Sequence, residues 1–186
     1  MKTVKSALQD FIERALAETD DGCFWTPFDA DWRSPCELNN HREADEISWR
    51  PVPQASPVSF DGLANALEQP VHPDIYAYFG SFWGGSLEAT TDAGHVSLIQ
   101  LWNPADFDRL IENLVGHTLV QRRAKLDYTV FFATTDPDSE LFLSIDNRTG
   151  RVMLEEPGKA PRRSVAANIA TFLDQLTPAT SSPGLH

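Results

Sequence analysis

The segment GGSLEATTDAGHVSLIQLWNPADFDRLIENLV, residues 84–115, contains the pattern that decides the fold. After two glycines, Leu87 and Ala89 alternate with polar residues, and this period of two predicts a strand with one buried face. Residues 92–94, Asp-Ala-Gly, are typical of a turn, and the mostly apolar residues 95–102 predict the returning strand. The first part of the segment therefore predicts an antiparallel pair of strands.

The second part of the segment predicts the strongest helix of the chain. Asn103 is a residue type favoured at a helix N-cap, and Pro104 is favoured at the first helical position. The stripe predicted to be buried comprises Phe107, Leu110, Ile111, Leu114 and Val115. The side predicted to be exposed comprises Asp106, Asp108, Arg109, Glu112 and Asn113. Whether the helix continues through Gly116 stays open, because glycine inside a helix costs about 1 kcal/mol relative to alanine.

The chain before this segment predicts shorter elements. An amphipathic helix comes first, with its apolar stripe at Val4, Leu8, Phe11, Ile12 and Ala15. Residues 19–40 have little periodicity and predict an ordered loop region. Residues 47–52 predict a short edge or connecting strand, since the prolines around its end are excluded from central strands. Asp61 is predicted to cap one short helix, and residues 72–79 predict another.

The chain after the segment predicts more strands and a closing helix. The strands are expected at residues 128–133, 141–145 and 151–154, and Ser164 is expected to cap the helix. The inner stripe of that helix comprises Ala166, Ile169, Phe172, Leu173 and Leu176. This order of elements predicts an α+β (α/β) fold, a single domain with a mostly antiparallel central sheet covered by helices.

Length and composition limit the kind of protein. A chain of 186 residues, 41% of them apolar, can bury the core of one domain, which we expect to span residues 1–178. Residues 179–186 are expected to form a flexible tail. No apolar run approaches the roughly 20 residues that cross a bilayer. The N-terminus lacks the continuous apolar core of a signal peptide, so we expect a cytosolic protein.

The net charge of −12 is concentrated in the first part of the chain. Residues 1–108 contain 18 acidic and six basic residues, whereas residues 109–186 contain nine of each. Residues 51–108 contain no Lys or Arg, and their acidic residues are interleaved with aromatic ones. A field of one sign with aromatic anchors favours a basic, peptide-like protein partner and disfavours nucleic acid. Copies of the chain repel one another, so we expect a monomer.

Six acidic and aromatic residues are the candidate partner-binding residues. They are Trp83, Glu88, Trp102, Asp106, Asp108 and Glu112. Trp83 precedes the glycine pair at a junction between elements, where a half-exposed indole can serve as an anchor. Glu88 lies on a strand face that either meets solvent or lines a concave site. Much of the remaining negative charge lies in residues 10–46, a helix and loop region whose acids are interpreted as solvated.

Residues able to catalyse a reaction or bind a metal form no recognised motif. The sequence lacks a Gly-x-Ser-x-Gly elbow, a His-Glu-x-x-His pair and a phosphate-binding loop, and neither Cys23 nor Cys36 belongs to a Cys-x-x-Cys pair. We expect no enzymatic activity, no cofactor and no metal site. His117 is either a base or ligand in an enzyme or a hydrogen-bonding residue near a helix end. Residues 121–125, a short basic patch, either balance local acids or approach anionic lipid headgroups.

Short motifs distributed over residues 34–176 occur in a recognisable order. They include SPC at 34–36, WRP at 49–51, the glycine pair at 84–85, LIQLW at 98–102, ENLVGH at 112–117, QRR at 121–123, FFAT at 131–134, Asn147, Gly150 and ANIATFL at 167–173. The run from ENLVGH to FFAT is the most specific. Together these motifs resemble the Syd family, the SecY-interacting proteins of Gram-negative bacteria.

The resemblance implies a fold and a role. It implies a domain related to the SUKH superfamily, located peripherally and loosely on the cytoplasmic side of the inner membrane and otherwise in the cytoplasm. It implies binding to SecY, preferably SecY without its usual partners, as a sequestering or negative regulatory factor. SecY's cytoplasmic loops carry excess Lys and Arg, so an acidic face would capture them.

The resemblance also permits a second role. The SUKH relationship is compatible with an immunity-type protein that neutralises a basic toxin through the same acidic face. The acidic region of residues 20–31 and the tail from Ala179 depart from the family pattern and receive no role from it.

Overall fold

The computed structural model describes residues 1–56 and 58–179, which form five helices and twelve strands. The helices are α1 (Val4–Ala17), α2 (Asp61–Leu67), α3 (Pro73–Phe79), α4 (Pro104–Arg123) and α5 (Ile169–Gln175). The strands are β1 (Phe24–Pro27), β2 (Glu37–Arg42), β3 (Glu46–Trp49), β4 (Val52–Pro53), β5 (Phe82–Trp83), β6 (Leu87–Thr91), β7 (Gly94–Leu98), β8 (Thr129–Thr134), β9 (Phe142–Asp146), β10 (Val152–Glu155), β11 (Arg163–Ala166) and β12 (Thr177–Pro178).

Seven strands form one antiparallel sheet in the order β11-β10-β9-β8-β7-β6-β12. Strands β1, β3 and β2 form a second, small sheet in that order, and β4 pairs with β5. Helices α1, α4 and α5 each contact strands of the large sheet. The predicted α+β fold, a single domain with a mostly antiparallel sheet and covering helices, is confirmed.

The predicted strand pair and helix lie at the centre of this fold. In the β6–β7 pair, Leu87 is opposite Leu98 and Ala89 is opposite Val96, and all four side chains are buried. The Asn103 side chain then caps α4 by accepting a hydrogen bond from the amide of residue 106 at 2.8 Å. Helix α4 continues past the glycine at 116 to Arg123, which settles the question that the sequence leaves open.

The core is one hydrophobic cluster that joins the helices to the large sheet. Helix α1 packs against α3 and α5. Its buried residues are those of the predicted stripe, Val4, Leu8, Phe11, Ile12 and Ala15, together with Ala7. Phe132 of β8 is fully buried, with Tyr78 of α3 edge-on at 5.4 Å and Phe172 of α5 at 5.8 Å. Each such aromatic side chain contributes about 1.5–3 kcal/mol by its burial.

The small sheet is the main difference from the sequence-based expectation. Residues 19–40, predicted as a loop region, contain β1 and the start of β2. Strand β3, predicted as an edge or connector, is the central strand of this sheet. The reason is local. The prolines that follow lie outside β3 and interrupt no hydrogen bond of it, and β2 (ELNNHR) has no apolar alternation that would mark a strand.

Two predicted helix caps are wrong. Asp61 is the first residue of α2, whose N-cap position is Phe60 with no side-chain hydrogen bond. Ser164 lies in β11, and Asn168 caps α5 by accepting a hydrogen bond from the amide of Thr171 at 2.8 Å. Both segments contain several residues of capping type, so composition alone does not select the position at which the backbone turns into a helix.

The end of the described chain is joined to the large sheet. The amide of Ala179, the first residue of the predicted tail, donates to the carbonyl of Glu88 at 2.9 Å. The rest of that tail, residues 180–186, lies outside the described residues, and the domain boundary at residue 178 stays a prediction. None of the helices in residues 1–56 and 58–179 is long and apolar enough to cross a membrane.

Candidate functional site

An open cleft of about 1050 Å³ lies beside the small sheet, next to the start of β6 and the end of β7. One wall consists of the end of α1, the loop after it and all of β1. The rest of the lining consists of residues of β2 and β3, residues 84–86 just before β6, and residues between β7 and the first turn of α4. The cleft is therefore lined both by the N-terminal sheet and by part of the segment that decides the fold, residues 84–115.

Negative charge dominates this cleft. Among its lining residues are seven carboxylates, namely Glu18, Asp20, Asp21, Asp29, Glu37, Glu46 and Asp106. Arg42 is the only Lys or Arg among the described residues that line it. Carboxylates along a concave wall focus the electric field and raise the local concentration of cationic groups. The cleft is therefore suited to a positively charged ligand.

Trp49 of β3 is the central aromatic residue of the cleft wall. Its ring lies 4.8 Å from the ring of Phe24 and edge-on to Trp102 at 5.7 Å, centroid to centroid. A Cβ atom at Gly85 would lie 2.8 Å from Cζ2 of this indole, which is closer than real Cβ contacts. Gly85 is therefore required for the tryptophan ring to lie against the backbone.

Hydrogen bonds connect Trp102 to the loop that contains Trp32. The indole N–H of Trp102 donates to the carbonyl of Trp32 at 2.8 Å, and Ser34 Oγ donates to the carbonyl of Trp102 at 2.5 Å. Asn103 Nδ2 also donates to the carbonyl of Arg33 at 2.9 Å. The loop between β1 and β2 is thereby attached to the start of α4.

Two of the six candidate residues line the cleft, Trp102 and Asp106. Asp106 is half-buried and accepts a hydrogen bond from the amide of Trp102 at 2.9 Å. This bond fixes the orientation of the carboxylate at the end of the cleft.

The other four candidate residues lie outside the cleft lining. Glu88 accepts a hydrogen bond from Ser97 Oγ at 2.8 Å and lies 2.6 Å from Nε2 of His95, so a cross-strand cluster uses both of its oxygens. Trp83 is half-buried and packs against the core. Asp108 and Glu112 are exposed on α4.

A cationic side chain of the protein itself lies at one wall of the cleft. The guanidinium carbon of Arg42 is 4.4 Å from the centroid of the Trp25 ring, and its Nε lies 2.6 Å from Oε2 of Glu46. The Trp25 indole N–H donates to Oδ2 of Asp21 at 3.0 Å, and this hydrogen bond lowers the pKa of the Asp21 carboxyl. The Trp25 ring is therefore held between a carboxylate at its edge and a guanidinium over its face.

Comparison with known proteins identifies the family. The model of the family described as Syd protein (SUKH-2) matches residues 3–178. The chain belongs to the Syd family. It is 37% identical to Protein Syd of Pseudoalteromonas atlantica over 185 residues, which cover 96% of this chain and 98% of that protein. It is 40% identical to Protein Syd of Pectobacterium atrosepticum over 145 residues, or 78% of each chain. The family resemblance inferred from the motifs is confirmed.

The sequence interpretation missed most of the cleft of this Syd-family chain. Residues 20–31, to which the resemblance gave no role, supply three of its carboxylates together with Trp25. The signal is present in the sequence, since residues 18–32 combine acidic residues with aromatic ones in the same way as residues 51–108. A helix-and-loop region of that composition was interpreted as solvated, although its aromatic residues favour a folded wall.

Cys36 and His117 are packed within the fold, whereas Cys23 lines the cleft. Cys36 is fully buried, and burial raises the pKa of its thiol to about 11. His117 of α4 lies between the rings of Phe131 and Phe142, each 5.6 Å away, with Nε2 at 3.2 Å from Oγ1 of Thr129. Burial lowers the pKa of this imidazole. These surroundings fit a histidine that joins α4 to the sheet.

Proposed function

We propose that this Syd-family protein is a non-enzymatic regulatory protein that binds SecY, the protein-conducting channel. In this proposal, the acidic cleft receives basic cytoplasmic loops of the channel. The observation that carries the proposal is the composition of the cleft, where seven carboxylates and one arginine line a concave surface together with five aromatic side chains. Aromatic anchors surrounded by charge are the features that give protein interfaces both contact area and orientation.

Electrostatics supports this choice of partner. Loops on the cytoplasmic side of membrane proteins carry an excess of Lys and Arg. A negative cleft accelerates their association and orients them, whereas the anionic headgroups of the surrounding lipids are repelled. The protein is then a peripheral, loosely attached protein of the inner membrane whose attachment depends on SecY, and it acts as a monomer.

The regulatory part of the proposal follows from the surface involved. Cytoplasmic loops of the channel are the part accessible to soluble factors, so a protein that covers them competes with other cytoplasmic partners. The protein prefers SecY without its usual partners and acts as a sequestering or negative regulatory factor. Trp102 and Asp106 are the proposed contacts within the cleft, and Trp83, Glu88, Asp108 and Glu112 are proposed contacts around it.

Charge reversal in the cleft tests this proposal. The variant Glu18→Lys/Asp20→Lys changes two exposed acids of the cleft, and Asp108→Lys/Glu112→Lys makes the same change of net charge on exposed α4. Retention of each full-length protein on membranes with and without SecY is measured over a salt series. We expect the cleft variant to lose about tenfold or more in affinity for SecY membranes, or about 1.4 kcal/mol.

The two variants also separate the cleft from the periphery. If the α4 variant loses less affinity for SecY membranes than the cleft variant, the loops bind mainly in the cleft. If both variants lose the same affinity, the contact also includes α4. Wild-type retention that does not depend on SecY, or that salt leaves unchanged, contradicts the proposal because the Debye length falls from about 30 Å at 10 mM salt to about 3 Å at 1 M.

An immunity-type protein that neutralises a basic toxin is the second candidate function. The family description, which includes SUKH-2, and the acidic cleft are compatible with it. A toxin encoded beside this gene and inhibited by the purified protein favours this candidate, particularly where SecY membranes retain no protein.

A further inference from the structure

We infer that the cleft contains a subsite for an arginine side chain of the partner, formed by Trp25 and Glu46, and that Arg42 of the chain itself occupies this subsite in the free protein. The inference rests on the proposed function, because it names the partner side chain that the same cleft receives. It adds that the cleft prefers arginine to lysine and that Arg42 competes with the partner's arginine for the subsite.

The Trp25 side chain and the backbone at Glu46 are held independently of Arg42. Trp25 belongs to β1 and Glu46 to β3, and these strands pair with each other in register. The hydrogen bond from the Trp25 indole to Asp21 further fixes the ring. Removal of the arginine therefore leaves the aromatic face in place, with the Glu46 carboxylate on the neighbouring strand available to a new donor.

Arg42, by contrast, is attached at the margin of the sheet. It is the last residue of β2, an edge strand, and its side chain is 46% exposed. The turn that follows contains Ala44 and Asp45, both with positive φ, and returns the chain to β3. The arginine side chain can rotate into solvent without breaking a backbone hydrogen bond of the sheet. It is thus a replaceable occupant.

The chemistry of the subsite favours a guanidinium over an ammonium group. A guanidinium is planar, stacks on an indole and donates to a carboxylate at the same time, whereas an ammonium is a compact, strongly hydrated charge. A second tryptophan of the cleft has the same kind of neighbour, since the Arg109 guanidinium carbon lies 4.0 Å from the Trp32 ring centroid. Two aromatic faces at this cleft therefore already bind arginine.

The cleft wall also contains a buried donor without a partner. Trp49 is 5% exposed, and its indole N–H has no hydrogen-bond partner among the described residues. An unpaired buried donor costs about 1–3 kcal/mol. The indole nitrogen itself is inaccessible to solvent, so a carbonyl of a bound segment reaches it only after neighbouring side chains move. The cleft wall thus combines a guanidinium subsite with one buried, unpaired donor.

The experiment compares two acetylated eight-residue peptides, one alternating Gly and Arg and one alternating Gly and Lys. The full-length protein is titrated with each at physiological salt, and the dissociation constants are measured for wild type, Arg42→Ala and Arg42→Lys. Lys5→Ala is the control that also removes one positive charge, from an exposed position of α1 outside the cleft lining. Lys5 precedes Glu18 by 13 residues, about 20 Å of helix, which exceeds the Debye length.

We expect wild type to bind the Arg peptide about threefold more tightly than the Lys peptide. Arg42→Ala strengthens Arg-peptide binding by about threefold or more, because the competitor is removed, and strengthens Lys-peptide binding less. Arg42→Lys, which keeps the charge, also strengthens Arg-peptide binding, and Lys5→Ala leaves both affinities unchanged. Trp25→Leu or Glu46→Gln added to Arg42→Ala abolishes the gain.

The outcomes distinguish this inference from the proposed function. Equal gains for the two peptides in Arg42→Ala, or no effect of Arg42→Lys, reduce the role of Arg42 to its charge and overturn the subsite. Retention on SecY membranes without any arginine preference overturns the subsite alone. Absence of binding to both peptides and to SecY membranes overturns the subsite and the proposed function together.

Discussion

The position of the Trp49 side chain depends on Gly85, which lies 36 positions further along the chain. Its ring lies against the backbone at Gly85, where a Cβ atom would approach Cζ2 to 2.8 Å. The absence of a side chain at Gly85 therefore affects both the cleft wall and the stability of the fold.

Gly85→Ala is expected to lower the free energy of unfolding by about 1–3 kcal/mol, because the ring is buried and can move only by disturbing its neighbours. The measurement is denaturant-induced unfolding. Gly116→Ala is the matched control, since a Cβ atom there meets nothing within 4 Å and the residue lies inside α4. The control is expected to stabilise the protein by up to about 1 kcal/mol. Equal effects of the two substitutions contradict the role of Gly85.

The same residues show where sequence interpretation reaches its limit. The glycine pair at 84–85 predicts the entry to a strand, and a strand follows. Its second role, contact with Trp49, depends on tertiary packing that no local period encodes. Among the six candidates, which local charge and aromatic content select, Trp102 and Asp106 line the cleft, and their binding role stays a prediction. The cleft residues of the 20–31 region are not among the candidates, because that region has little periodicity.

At the scale of elements, α4 links the core to the cleft. The Asn103 side chain caps this helix and also donates to the carbonyl of Arg33, so one residue fixes both the helix start and the loop that contains Trp32. Because Asn103 has both roles, we expect its substitution to change the cleft as well as the start of the helix.

Asn103→Ala is expected to lower the free energy of unfolding by about 1–2 kcal/mol and to weaken binding of SecY membranes. Asn168→Ala is the matched control, since Asn168 caps α5 through the amide of Thr171 and is not part of the cleft lining. It is expected to lose about 1 kcal/mol in stability while binding is unchanged. Unfolding curves and membrane retention are measured for both. Equal binding by the two variants shows that the cleft does not depend on the helix cap.

The elements also differ in how well their sequences predict them. Strands β6 and β7 have strong apolar patterns, and helix α4 also has a clear cap residue. All three form in the predicted segment, although β7 ends at Leu98 and not at residue 102 as predicted. Strand β2 is mostly exposed and polar, and it exists because it pairs with β3. Short strands whose stability comes from their partners leave little trace in their own sequence.

At the scale of the whole molecule, the acidic cleft has opposite consequences for folding and for binding. Seven carboxylates line one surface. Glu37 and Glu46 are paired with Arg33 and Arg42, and we expect repulsion among the other five to destabilise the folded state. A basic partner relieves this repulsion. Added salt should therefore raise the free energy of unfolding of the free protein and lower its affinity for the basic partner.

We expect the free energy of unfolding of the free protein to rise by about 1 kcal/mol between about 20 mM and about 500 mM NaCl, as salt screens the carboxylates. Binding to SecY membranes weakens over the same range, because the same screening weakens attraction to basic loops. Unfolding and membrane retention are followed in one salt series. Glu18→Gln/Asp20→Asn, which removes two cleft charges at nearly constant size, is expected to reduce both salt effects. A stability that falls with added salt contradicts the link, since repulsion within the cleft is then too weak to drive capture of a cationic partner.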